Sequence, residues 1–349
     1  MSLMGRLYRG ETSYDFVGAR RTFLIISSVL LLISVISLVV RGLNLSLDFR
    51  GGVAVEAENP ARAGVGDVRD ALAPLGLSDA RIQLLADGQE LRVQTEALDA
   101  DEADAFVRAV AAVAGTEVTD TSVDEVGPTF GAQITERAVL ALLVFLGAVI
   151  LFMSWRLEWK MALSGIAALT HDLIITFGIY SITGFEVTPA TIIAILTILG
   201  YSLYDTVVVF DKVQENVESS VREPFTDIVN RSMNQVLMRS INTSLTSLLP
   251  VGSLLFVGSF LLGARTLLEF ALALFVGIAT GTYSSIGVAS PLLAIWKERE
   301  DEWTRIRRRL NRVSDDAVIP SGPVQPAATK ARPRTVSGAT PRPPKKRRR

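Results

Sequence analysis

One carboxylate stands inside an otherwise apolar run: Asp205, within Gly200-Tyr-Ser-Leu-Tyr-Asp-Thr-Val-Val-Val-Phe-Asp-Lys-Val-Gln-Glu-Asn216. An ionised Asp near the centre of a membrane span costs about 2.5–3.5 kcal/mol on insertion scales. Such a residue faces the bundle interior, finds a partner or takes a proton. Thr197, Tyr201 and Asp205 follow one another at i, i+4 and i+8, which puts them on one helix face. Val207, Val209 and Phe210 suit lipid or packing on the other side. A cation is available in Arg239, which opens the next apolar run. Arg239, Thr243 and Thr246 recur at i, i+4 and i+7, with Asn242 and Ser247 beside them. Two polar faces on neighbouring helices make either a hydrated proton path or a static salt bridge with Ser/Thr packing. Residue types alone do not choose between the two.

His171-Asp172 places an imidazole beside a carboxylate, a second candidate for proton exchange. Adjacent residues point in different directions on a helix, so the favoured reading is a capped, interface-facing pair near the cytoplasmic third of its helix. Gly277-x-x-x-Gly281 permits close helix contact. Asp211, Lys212, Glu215 and Asn216 read as a solvated helix end. The chain has no Cys and a single His, which excludes disulfides, a thiol nucleophile and a His-cluster metal site. No nucleophile–base grouping stands out. The expectation is therefore a protein that is not an enzyme and needs no cofactor; protons as the coupling ion are what the resemblance described below implies.

These residues need elements to hold them. Of 349 residues, 49% are hydrophobic, and they are clustered. A span takes roughly 20 mainly apolar residues. Six runs qualify: Thr22–Val40, Ala138–Met153, Met161–Thr183, Pro189–Phe210, Ser240–Leu262 and Leu267–Trp296. The first is followed by Arg41-Gly-Leu-Asn-Leu, without a small-residue cleavage pattern, and reads as an uncleaved helix. The formal net charge of −1 conceals an asymmetry. Residues 42–137 hold 18 acidic and 7 basic side chains, whereas 297–349 hold 6 acidic and 16 basic. Arg6, Arg9, Arg20 and Arg21, then Arg156 and Lys160, then Lys212, Arg222 and Arg231, then the basic tail, all fall on one side of a six-span chain. The positive-inside rule makes that side cytoplasmic. Glu186 lies in a loop on the opposite side, and Arg265 is an exception to the trend.

The predicted organisation is a cytoplasmic N-terminus at 1–21 and helix 1 at 22–41. An extracytoplasmic domain follows at 42–137, and helices 2–6 occupy 138–296, with a cytoplasmic helix-and-loop segment at about 211–238. A basic, disordered cytoplasmic tail fills 297–349. Within 42–137, Leu47–Glu58 reads as a strand kinked at Gly51-Gly52, Asp67–Leu75 as a helix, and Ala80–Ala86 and Glu90–Thr95 as strands about Asp87-Gly88. Ala100–Val113 reads as a helix and Glu117–Val126 as a last strand. The order βαββαβ predicts an α+β ferredoxin-like domain, serving for binding or as a lever. The tail would touch anionic lipid at about 1 kcal/mol per basic residue near the surface. Contact with nucleic acid or the ribosome is the weaker alternative.

Several motifs in order give the chain a family resemblance. Asp15-Phe-Val-Gly-Ala-Arg-Arg21 precedes the first span, Leu47-Asp-Phe-Arg-Gly-Gly52 opens the 42–137 domain, and Val126-Gly-Pro-Thr-Phe-Gly131 leads into the second span. His171-Asp172, the Asp205 stretch, Arg239-Ser-Ile-Asn-Thr-Ser-Leu-Thr246 and Gly281-Thr-Tyr-Ser-Ser285 follow. From about Tyr14 to Glu300 the chain resembles the SecF family. These are the smaller subunits of the SecDF protein-export complex, relatives of the resistance–nodulation–division (RND) transporters. The resemblance implies a multi-pass protein of the bacterial cytoplasmic membrane with both termini cytoplasmic. It implies partnership with SecD, the SecYEG channel, the SecA ATPase and YajC, and use of the proton-motive force late in translocation. It matches Asp205 and Arg239 to the family's intramembrane acid and arginine and implies that both are essential to the proton path; Tyr201, Thr243 and Thr246 join that path by their helical spacing alone. It has the 42–137 domain follow the emerging polypeptide. Two departures stand out: Tyr204 replaces the Asn usual before the acid, for which a tuning effect is expected, and the tail after about Asp315 lies outside the resemblance. Two other readings are a proton-coupled small-molecule exporter of the wider RND group and a non-transporting scaffold. Six spans and one domain are half the usual single-chain exporter, which favours pairing with a homologous subunit.

Overall fold

The computed structural model describes residues 14–220, 223–261 and 267–317. Arg6, Arg9, Arg222, Arg265 and the tail beyond Ala317 lie outside the described residues. The chain divides into two units, Met1–Arg307 and Arg308–Arg349. The second is helical over its described residues, 308–317.

Helix α1 (Arg20–Arg41) buries Ser27, Ser34 and Ser37 and exposes its apolar side chains, the reverse of a soluble helix. The segment before it is held by two asparagines: Asn230 Oδ1 accepts from the Phe16 amide at 2.7 Å, and Asn234 Oδ1 accepts from the Tyr14 amide at 2.9 Å. After α1 come β1 (Asn44–Leu45), a helical turn α2 (Leu47–Arg50) and strand β2 (Gly52–Glu58). The expected strand from Leu47 is thus a turn first. The cause is the Gly pair: Gly51 has φ +74° and Gly52 φ +129°, conformations that side chains rarely adopt. A Cβ on Gly52 would lie 2.1 Å from the Thr95 carbonyl oxygen.

The domain continues with α3 (Val65–Leu72), β3 (Arg81–Leu85), β4 (Glu90–Thr95), α4 (Ala100–Ala114) and β5 (Thr121–Val126). The last strand begins four residues later than expected, because Val118–Asp120 forms a 3₁₀ turn. The sheet order is β3-β4-β2-β5, with every neighbouring pair antiparallel. This is the ferredoxin-like arrangement. Val53, Val55, Leu91 and Val93 of the sheet pack on Val68, Leu72, Phe106 and Val110 of the two helices. Asp99 and Glu102 close a capping box at the start of α4, with the Glu102 amide donating to Asp99 Oδ1 at 2.8 Å.

Five further spans follow. Helix α5 (Pro128–Arg156) starts ten residues before its apolar run, with Pro128 at its first position. Helix α6 (Trp159–Thr183) leads to β6 (Glu186–Val187), which pairs parallel with β1 through Asn44↔Glu186 and Leu45↔Val187. Helix α7 (Pro189–Ser219) is capped by Thr188, and α8 (Phe225–Ser253) runs on into a π-helical turn at Leu254–Leu261. Helix α9 (Leu268–Ser284), a π-helical turn (Ser285–Ala289) and α10 (Ser290–Lys297) form the sixth span. Pro291 lacks the N–H that would close the preceding α-turn, which accounts for the widened turn.

Within the segment 211–238, α7 runs to Ser219 and α8 starts at Phe225, and Asn216 clamps the two by donating to Ser232 Oγ at 2.7 Å and Gln235 Oε1 at 2.8 Å. Two expectations are corrected. Asp211 lies inside α7, ion-paired with Arg156 at 3.0 Å, rather than at a helix end. The start of the tail is ordered as well. Helix α11 (Asp301–Ala317) packs Trp303 against Phe225, ring centroids 5.1 Å apart, and Arg307 pairs with Glu298 at 2.9 Å. One buried Trp and one ion pair on an amphipathic helix outweigh the polar composition that suggested disorder.

Candidate functional site

Helices α7 and α8 meet through two side-by-side residues on each. Ser240 donates to Asp205 Oδ1 at 2.7 Å, and both residues are buried. On the side open to the surroundings, Arg239 donates to the Tyr204 hydroxyl, its guanidinium 5.7 Å from the ring centroid. No ion pair joins Asp205 to Arg239. The expected partner of the acid is held one residue away by the tyrosine, because the helix turns about 100° per residue and carries neighbours 239 and 240 to different sides. Tyr204 thus holds the arginine by a hydrogen bond and a ring contact. Asp205 Oδ2 is buried with no hydrogen-bond partner among the described residues.

The expected Arg239–Thr243–Thr246 stripe does not face the acid. Thr243 donates to its own helix at the Arg239 carbonyl (2.7 Å) and Thr246 to the Asn242 carbonyl (2.9 Å), and Thr246 is exposed. Tyr201 does join the helices, donating to the Thr243 carbonyl at 2.8 Å and accepting from Ser247 at 2.9 Å. Thr197 is exposed, and Val209 and Phe210, assigned to the other side, are in the bundle core. The buried stripe of α8 is Ser240 and Ser244, with Ser244 bonded to Thr282 of α9 at 2.7 Å. Their i, i+4 spacing, extended by Ser247, is visible in the sequence, one residue out of register with the stripe that starts at Arg239.

His171 and Asp172 are neither interface-facing nor near a helix end. They sit at mid-helix in α6, at 3% and 1% exposure. Asp172 Oδ2 accepts from Ser202 of α7 at 2.6 Å and from Ser284 of α9 at 2.8 Å, and Oδ1 lies 3.1 Å from His171 Nδ1. The two neighbours do touch, and a carboxylate, with two oxygens and about four lone-pair sites, can serve three helices at once. Beside them Thr206 and Ser285 share a hydrogen bond at 2.9 Å. Close approach of α9 to α7 makes this possible: a Cβ on Gly277 would be 2.4 Å from Ile198 side-chain carbons, and one on Gly281 2.8 Å from Ser202 Cβ. Ser202, Thr206, Ser284 and Ser285 were not singled out from sequence, where isolated small hydroxyls in spans carry little signal.

A second connection ties these helices to the α+β domain. Glu186, buried just before α7, accepts from Gln94 of β4 at 3.1 Å and lies 3.8 Å from Arg92, which also pairs with Glu56 at 3.3 Å.

The chain was compared with known proteins. The family model "Protein export membrane protein SecD/SecF, C-terminal" matches residues 106–299, which include every helix of the site. The chain belongs to the SecD/SecF protein-export membrane family. The family's "GG Motif" model matches residues 36–58, around the Gly51-Gly52 turn. Protein translocase subunit SecF of Streptomyces coelicolor is 40% identical over 312 residues, covering 88% of this chain and 83% of the relative. SecF of Mycobacterium tuberculosis is 40% identical over 348 residues, with 94% and 78% covered. The crystal structure of the translocon-associated membrane protein SecDF from Thermus thermophilus superposes with TM-score 0.74 at 36% identity, covering 86% of this chain and 40% of that longer chain. With six apolar spans and these relatives, the chain is a multi-pass membrane protein.

Proposed function

We propose that this chain is the SecF-type subunit of a protein-export complex that draws on the proton-motive force, acting with a SecD-type subunit at the cytoplasmic membrane. Support for the pairing comes from the Thermus SecDF protein, in which the segment similar to this chain occupies 39% of a longer polypeptide. The observation that carries the coupling is Asp205: a carboxylate buried between two spans, with one hydroxyl donor, one unpartnered oxygen and an arginine held just out of reach.

The steps follow from the chain's own residues. A proton reaches Asp205 at Oδ2, and Ser240 holds Oδ1 in place. With the proton bound, Asp205 has no charge to draw Arg239. With the proton released, the carboxylate attracts the guanidinium, which must leave the Tyr204 hydroxyl to answer. Either event moves α7 against α8, two arrangements whose balance the proton sets. Because α7 begins next to Glu186, its displacement pulls on β4 and the domain behind it. By the positive-inside rule that domain is extracytoplasmic, where it would meet the emerging polypeptide, and both termini are cytoplasmic. SecYEG and SecA are the partners this reading calls for on the channel side, with YajC a further candidate, and anionic lipid is the partner of the basic tail. The reading assigns no covalent catalysis and no cofactor beyond the proton.

The test is Asp205→Asn in inverted membrane vesicles, with a model preprotein added outside and its transport into the lumen followed. Export should lose its dependence on the proton gradient while the variant still co-purifies with its SecD-type partner. Wild-type gradient dependence in the variant would sink the reading.

A further inference from the structure

We propose that His171 and Asp172 form a second proton-holding site, buried where α6, α7 and α9 meet, and coupled to Asp205 through α7. Three observations place it there. The imidazole Nδ1 faces the carboxylate Oδ1 at 3.1 Å, so a proton can be held between them. The other ring nitrogen, Nε2, is buried with no hydrogen-bond partner among the described residues, in a side chain only 3% exposed. A histidine serving only as a packing residue gains nothing from a buried, unpaired nitrogen. Finally, Asp172 is the knot of the bundle: the hydroxyls of Ser202 and Ser284 both point at its Oδ2.

The neutral ring keeps its proton on Nδ1, directed at Asp172. An incoming proton binds Nε2, forming one N–H bond, and the pair passes from one negative charge to neutral. Asp172 then shares its charge with an imidazolium, and its hold on Ser202 and Ser284 weakens. Ser202 is one turn before Asp205 on α7, so a change in this knot reaches the acid through the helix that bears both. The titratable groups facing the pair are Tyr283 of α9, its ring 6.1 Å from the imidazole, and Asp205 beyond Ser202. The Tyr283 hydroxyl donates to the Phe23 carbonyl of α1 at 2.9 Å, with Ser27 of α1 3.0 Å away. No hydrogen bond or ion pair among the described residues brings a group from α5 or α10 to it. The consequence for export rests on the Asp205 reading; the site's proton chemistry does not.

The chain's single histidine makes the test clean. The subunit, labelled with nitrogen-15 histidine and reconstituted with its unlabelled SecD-type partner in lipid vesicles, is followed by solid-state NMR from about pH 5 to 9, the range in which imidazoles ordinarily titrate. Both ring nitrogens should move together to imidazolium values as pH falls. In Asp205→Asn the midpoint should differ from wild type, because the residue that faces the pair beyond Ser202 has changed its charge. One unchanging neutral tautomer across the range overturns the site, and an unmoved midpoint overturns the coupling. In parallel, His171→Gln should alter the pH profile of gradient-driven export by about tenfold at its acid end, with partner binding retained. A wild-type profile also overturns the proposal. If instead Asp205→Asn exports with normal gradient dependence while His171 titrates, it is the Asp205 reading that falls.

Discussion

At the scale of single residues, the site consists of neighbours that face different ways. Tyr204 and Asp205 are adjacent on α7, Arg239 and Ser240 on α8, and the pairs match outside with outside and inside with inside. Sequence named the acid, the arginine and Tyr204, but not that Tyr204 and Ser240 hold the first two apart. The anchor on Arg239 is exposed and therefore modest, about 0.5–1 kcal/mol for a cation over an aromatic ring. Tyr204→Asn, which installs the residue usual in the family resembled, should keep gradient-driven export within about twofold of wild type. Arg239→Gln should lose it. Both are read in the same vesicle assay, and complete loss in Tyr204→Asn would mean the tyrosine itself is part of the path.

At the scale of elements, the unit that matters is the turn at Gly51-Gly52. A positive φ and a Thr95 carbonyl at 2.1 Å from any Cβ leave no room for a side chain at Gly52. Gly52→Ala should cost on the order of 1–3 kcal/mol, from backbone strain and overpacking together. Gly66→Ala is the control: nothing lies near its Cβ position, it sits within α3, and alanine there should be neutral or slightly stabilising. Thermal melting of the purified variants in detergent compares them directly, and equal melting temperatures would refute the argument. The same scale shows why span ends were misjudged. Hydropathy marks where lipid is, while hydrogen bonds mark where helices end, and α5, α7 and α8 all run past their apolar stretches.

At the scale of the whole molecule, the β1–β6 pairing and the buried Glu186 fasten the α+β domain to the start of α7. If this fastening carries the motion, Glu186→Ala should uncouple the two halves. Amide hydrogen exchange in β1, β4 and β6 should rise, and export should fall severalfold, while the variant still co-purifies with its SecD-type partner. Unchanged export with loosened strands would show that force passes by another route.

What the sequence determined is what short-range physics fixes. Apolar runs of span length, the βαββαβ order with its turn residues, and an acid too costly to leave without purpose in a membrane can all be read from consecutive residues. What only the tertiary structure decided is which side of each helix meets which neighbour. A helix advances about 100° per residue, so a reading one residue out selects a different face. That single step separates the expected Arg239–Thr243–Thr246 stripe from the Ser240–Ser244 stripe that is buried. It also hid the role of Asp172, whose serine partners lie 30 and 112 residues away along the chain and come together only because glycine lets α9 close on α7.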